Sequence, residues 1–157
     1  TLCIRALNSK RCGEIRAYPK EIFADVDILT PNQSEARILL GLNADDRQAD
    51  ADLAARLRGL GVKYVVMTLG ADGALIAGPE GLTKVASYPV DVVDTTGAGD
   101  AFNGALAAGL ANGLALADAV RRGTAAGALA VTKKLVVPAL PDDSQISELM
   151  KHRTACA

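Results

Sequence analysis

A run of valines leads into closely spaced glycines and an acid in VDVVDTTGAGDAFNGALAAGLANG, Val90 to Gly113, and an alanine-rich helical pattern follows. Gly97, Ala98, Gly99 and Asp100 are the residues there whose types and order can do chemistry. A helix start leaves four backbone N–H groups without intrahelical partners, and the aligned peptide dipoles add partial positive charge. Glycines at such a turn let an anion reach the backbone with no side chain in the way, so the turn can cradle a phosphate. Negative charge is also favoured in the first helical turn, so a carboxylate there is available as a proton acceptor. A plainer reading stays open, with Asp100 as an ordinary helix-start acid and the glycines as turn formers. Two better-known phosphate loops are excluded. A P-loop needs a lysine and then Ser or Thr after its glycines, and the dinucleotide fingerprint needs a third glycine where Phe102 stands.

These residues need elements to hold them. Short runs rich in valine and isoleucine predict strands at about Leu2–Leu7, Val26–Leu29, Tyr64–Thr68, Ala74–Ala77 and Val90–Val93. Longer periodic segments predict helices at Asn32–Leu40, Ala49–Leu60, Gly99–Asn112, Leu116–Thr132 and Asp143–His152. Leu53, Leu57 and Leu60 fall on one helical face, with Arg56 and Arg58 turned outward. The alternation predicts an α/β fold, a mainly parallel sheet with helices on both faces. AGPEGLTKV, Ala77 to Val85, carries turn signals between apolar runs and reads as a β-hairpin interrupting that pattern.

In open α/β sheets ligands bind beyond the carboxyl ends of the strands. TPNQSE follows Val26–Leu29, LGADG follows Tyr64–Thr68 and DTTGAGD follows Val90–Val93, so three polar or glycine-rich loops are expected on one sheet edge. On their own residues, Asn32 and Glu35 spell a helix-capping arrangement and Thr68–Gly73 a tight turn between strands.

Composition narrows the class. Half of the 157 residues are hydrophobic, 22% are charged and the net charge is −1, which is globular and gives no electrostatic case for nucleic acid or an anionic membrane. Aromatic residues, at 3%, are too scarce for a base-stacking platform. Cys3, Cys12 and Cys156 form no ligand cluster, and His152 stands without partners, as expected of a reducing, cytoplasmic setting. The apolar segment Gly104–Val131 is broken by Asn112, Asp118, Arg121 and Arg122, and TLCIRALNSKRC is too polar and basic for a signal peptide. The strand-like TLCIRAL at Thr1 reads as a start in the middle of a domain.

DTTGAGDAF after a strand, with TPNQSEA and TLGADGAL upstream in this order, resembles the ribokinase (PfkB) family of sugar and nucleoside kinases from about Val26 to Pro141. The resemblance implies a ribokinase-like sandwich and phosphoryl transfer from ATP to a sugar hydroxyl. It is strongest to the members that convert D-ribose to D-ribose 5-phosphate; fructose- and adenosine-type acceptors are the alternative. It implies that Asp100 is the catalytic base, contacting the sugar hydroxyl, and that Gly97, Ala98 and Gly99 form the anion hole for the transferred phosphoryl group. It also places Asn32 and Glu35 in the N-x-x-E motif that positions Mg²⁺ and phosphate oxygens, partly through water. Thr68, Leu69, Gly70, Ala71, Asp72 and Gly73 match the nucleotide loop, and Thr124 a position near adenine. Asp94 and Thr96, with backbone carbonyls near Ala130, Lys133, Leu135 and Ala139, match a monovalent cation site, usually for K⁺.

Two positions depart from the pattern. Leu135 in KKLVVP stands where the family commonly has glycine, and leucine would strain a loop that needs φ > 0 there, which bears on K⁺ activation. Thr124 replaces a common His or Asn. The family's N-terminal half, with its sugar-recognition residues and β lid, has no counterpart in the sequence, so the sheet is expected to be truncated on its N-terminal side. Full-length relatives are often homodimers through that lid. The alternative to a kinase is therefore a non-catalytic remnant that binds nucleotide or a partner through an open sheet edge.

Overall fold

The computed structural model describes residues 4–5, 20–134 and 139–154. Leu135, the three cysteines and the His152 side chain lie outside the described residues, as does the expected Leu2–Leu7 strand apart from two residues. Contacts divide the chain into two compact units, Thr1–Leu69 with Ala74–Lys84, and Gly70–Gly73 with Val85–Ala157.

Five strands form one sheet in the order β1 (Ile4–Arg5), β2 (Ile28–Leu29), β3 (Tyr64–Thr68), β4 (Ala74–Gly78) and β5 (Gly81–Val85). β1, β2 and β3 run parallel, with Ile4 opposite Ile28 and Ile28 opposite Tyr64. β3 and β4 are antiparallel, Val66 facing Ile76. The sheet is thus mixed rather than mainly parallel, because Leu69–Gly73 is too short for the crossover that parallel neighbours need. The expected hairpin is β4 and β5.

In the first unit, α1 (Gln33–Leu39) and α2 (Asp50–Arg58) follow the predicted stripe. Leu53, Ala54 and Leu57 of α2 pack with Leu29, Val65, Met67, Leu75 and Ala77 in one buried cluster. Ile28, Val66, Ala74 and Ile76, on the alternate positions of the strands, are buried too, so β2, β3 and β4 are buried on both faces, whereas β5 is exposed up to Val85. Arg58 departs from expectation. It is half-buried, and its Nη1 donates to Gly78 O at 2.9 Å, tying α2 to the end of β4. A 3₁₀ turn at Lys20–Asp25, which no period in the sequence announces, buries Phe23 against the same core.

The second unit holds α3 (Ala98–Ala111), α4 (Leu116–Ala130) and α5 (Asp143–Thr154). Small residues let α3 and α4 approach closely. A Cβ on Gly123 would lie 2.9 Å from the Phe102 ring, and one on Gly109 3.2 Å from Ala119 Cβ. Ala101, Ala105, Ala125, Ala126 and Ala128 close the core with Ile146 of α5. Arg122 pairs with Asp143, and Asp142 caps α5 by accepting from the Gln145 amide at 2.9 Å. Among the described residues no helix is long and apolar enough to cross a membrane.

The expected strand Val90–Val93 does not form: the segment pairs with no strand among the described residues, Val93 lies in a bend, and Val92 and Val93 are 63% and 52% exposed. The amide of Val93 instead donates to Val131 O at 2.7 Å. An apolar β-branched run states a preference for extended backbone, but a strand also needs a partner edge.

Candidate functional site

The helix α3 begins on Gly97, whose φ of +84° is the left-handed conformation that glycine adopts without strain. No side chain caps this end. A Cβ built on Gly99 would meet no atom within 4 Å, and both Gly99 and Asp100 are exposed. The positive dipole end and a solvent-facing carboxylate therefore occupy one helical turn, where the Ala98 amide donates to Thr95 O at 3.4 Å. Asp100 follows the Gly97–Gly99 turn directly, so an acid sits beside the place where an anion would be held.

The segment leading into that turn is pinned at its start. Amides of Val93 and Asp94 both donate to Val131 O, at 2.7 and 3.1 Å, and Thr96 N–H donates to Asp94 Oδ1 at 3.0 Å. This brings Asp94 and Thr96 to the end of α4, where Ala130 lies in the last turn and Lys133 just beyond. Helix-terminal carbonyls lack intrahelical donors and are the type of oxygen that a monovalent cation takes. Ala139 is buried. Thr124 is buried on α4, with its hydroxyl donating to Arg121 O at 2.8 Å inside its own helix.

Gly70 and Gly73 differ although one motif names both. Gly70 has φ +59° with open space where a Cβ would stand. Gly73 has φ +92°, and its Cβ would fall 2.1 Å from Val85 O and 2.6 Å from Ser87 N. The second glycine is therefore demanded by chain packing at the exit of β5. Between them Ala71 and Asp72 form an exposed 3₁₀ turn closed by Gly73 N–H to Gly70 O at 3.1 Å.

In the first unit, the TPNQSE and TLGADG loops start side by side. Asn32 bridges to Thr68 in parallel register, and Thr68 N–H donates to Pro31 O at 2.9 Å. Leu69 is buried in the core cluster behind them. Asn32 caps α1 in a full capping box: its Oδ1 accepts from Glu35 N–H at 2.9 Å, and Glu35 Oε2 accepts from Asn32 N–H at 3.0 Å. Burial pushes the Glu35 carboxyl above its usual range, opposed by the Asn32 amide. Its second oxygen, Oε1, takes no part in the box.

Thr30 Oγ1, Arg58 Nε and Asn103 Oδ1 are buried without a hydrogen-bond partner among the described residues. Thr30 stands inside the quoted TPNQSE loop, and Asn103 lies one turn beyond Asp100; sequence names their types but not their burial.

The chain belongs to the pfkB family of carbohydrate kinases, whose pattern matches residues 5–143. A ribokinase of Haemophilus influenzae is 34% identical over 132 residues, covering 84% of this chain and 43% of that protein. An ATP-dependent 6-phosphofructokinase of Thermoanaerobacterium thermosaccharolyticum is also 34% identical, over 85% of this chain and 40% of its own. Among solved structures, Arabidopsis thaliana ribokinase complexed with ribose and ATP superposes with a TM-score of 0.77 at 32% identity, over 85% of this chain and 43% of that one. Salmonella enterica aminoimidazole riboside kinase, complexed with aminoimidazole riboside and an ATP analogue, gives 0.80 at 35%, over 95% and 51%. The chain thus has the ribokinase fold and spans about half the length of the relatives it matches.

Proposed function

We propose that the chain is the nucleotide-binding and catalytic part of a carbohydrate kinase that transfers the terminal phosphoryl group of ATP to a sugar hydroxyl, with D-ribose as acceptor. The observation that carries this reading is the uncapped start of α3, with Gly97 in a left-handed turn, open space at Gly99 and an exposed Asp100. In this reading the amides of Gly97, Ala98 and Gly99 donate to the oxygens of the migrating phosphoryl group, where negative charge spreads in the transition state. Asp100 accepts the proton of the attacking hydroxyl, and the acceptor oxygen then bonds to phosphorus as ADP leaves. Gly70 leaves its backbone open to a nucleotide.

Mg²⁺, when bound, neutralises charge on the phosphates. Asn32 and Glu35 suit it, since a hard cation keeps several waters and takes carboxylate and amide oxygens, and Glu35 Oε1 lies outside the cap. For K⁺, Asp94, Thr96 and the carbonyls after Ala130 offer an all-oxygen set of the right chemistry. The neighbouring kinases act on several acceptors: their names include a ribokinase, an aminoimidazole riboside kinase and a fructokinase. A second reading therefore keeps the reaction and changes the acceptor.

The test is an ADP-release assay of the gene product with Mg·ATP and D-ribose, D-fructose, fructose 6-phosphate or aminoimidazole riboside in turn. Ribose-dependent release that Asp100→Ala abolishes is the expected result. Turnover that survives that substitution would remove Asp100 as base.

A further inference from the structure

Among the described residues the Thr30 hydroxyl makes no hydrogen bond. The residue is 7% exposed, and Oγ1 itself is buried. It does not cap α1, because Asn32 fills that role with its own side chain. Its position follows from the register. Ile28 pairs with Tyr64 and Leu29 with Val65, and the same offset returns at the Asn32–Thr68 bridge, so Thr30 lies opposite Val66. Side chains alternate along a strand, which puts Thr30 in the row of Ile28, Val66 and Ile76, all buried. The opposite row, with Leu29, Val65, Met67 and Leu75, packs on α2.

A hydroxyl in an apolar row is unfavourable when nothing hydrogen-bonds it, and valine would fill nearly the same space without that penalty. At its carboxyl-terminal end the row brings Thr30, Asn32 and Thr68 together, where α/β sheets take their ligands. We infer that Thr30 is a ligand-binding residue, whose hydroxyl hydrogen-bonds an oxygen of the bound nucleotide's phosphates or of the water around its Mg²⁺. This rests on the kinase reading of the site and adds to it a contact residue beside the N-x-x-E pair.

The inference sets stability against binding. Thr30→Val deletes one hydroxyl at constant volume, and Thr30→Ser keeps it. Thermal melting and calorimetric titration with Mg·ATP, with metal-free ATP and with Mg²⁺ alone are the measurements, made on the whole chain. Thr30→Val is expected to melt at or above the wild-type temperature and to bind Mg·ATP about tenfold more weakly, the size of one hydrogen bond to a charged group. Thr30→Ser should bind within about twofold of wild type, well inside that single-bond difference. A defect that persists with metal-free ATP assigns the contact to a phosphate oxygen; one seen only with Mg²⁺ present assigns it to the metal's water.

A Thr30→Val chain that melts lower than wild type would overturn the inference, since the hydroxyl would then have a partner in the fold. So would unchanged Mg·ATP binding by Thr30→Val, which leaves the kinase reading standing. Wild-type chain that binds no Mg·ATP would overturn both.

Discussion

Two helix starts in this chain are built on opposite principles. At α1, Asn32 and Glu35 supply side-chain acceptors, each taking the backbone N–H of the other residue. At α3 the cap is a glycine, no side chain reaches back and the first acid points to solvent. The first end is closed by its own side chains and the second is not. That contrast motivates the proposal that Gly97–Asp100 carries the chemistry and Asn32–Glu35 a supporting part.

The largest effect expected from breaking this contrast is at the open end. Asp100→Ala should reduce kcat about 10²- to 10⁴-fold, the usual worth of a positioned proton acceptor, while affinity for Mg·ATP changes little. Steady-state ADP release with titrated nucleotide separates the two parameters. A matching rise in KM with kcat preserved would make Asp100 a binding group.

The glycines of the Thr68–Gly73 loop sharpen the same distinction between open and filled backbone. Gly73→Ala combines a left-handed φ with a methyl group 2.1 Å from Val85 O, so it should destabilise the chain by roughly 2–5 kcal/mol. Gly70→Ala meets no neighbour and should cost only about 1–2 kcal/mol for the backbone alone. Urea or thermal unfolding of the pair ranks them; equal losses would mean that the packing at Val85–Ser87 gives way easily.

How much of this was legible beforehand differs between the two ends. Helix starts at Asn32 and at the GAGD turn were readable, because caps and glycines act over three or four residues. The capping box and the metal role of Asn32 and Glu35 were both open, and the hydrogen bonds show the cap, the shorter-range of the two. Val90–Val93 has the composition of a strand but is none, because pairing is a non-local property that a run of valines does not encode. The role of Gly73 was hidden for the same reason: the atoms that exclude a side chain, Val85 O and Ser87 N, come from the far side of the hairpin. Thr30 carries a polar atom whose burial only the register reveals.

At the closed end, Asn32→Ala removes the acceptor for Glu35 N–H and should cost about 1 kcal/mol, read as a lower melting temperature. The comparison predicts that α3 shows no such loss when Gly97 is replaced by asparagine, which tolerates the left-handed region and brings its own acceptor.

The smallest effect is the most diagnostic of the closed end's chemistry. Burial holds the Glu35 carboxyl above its ordinary 4.5, outweighing the Asn32 amide that pulls it down. Above 4.5 the folded chain therefore keeps a proton that the unfolded chain has released, and stability falls as pH rises towards the folded value. Below 4.5 both states are protonated and the penalty is absent. Glu35→Gln retains a carbonyl to accept from Asn32 N–H but cannot ionise, so its stability should stay flat across that window while the wild type declines. Melting temperatures at closely spaced pH values check this. Parallel curves would mean that the ionised carboxylate is fully compensated by the capping amide, and the cap rather than burial would then govern this acid.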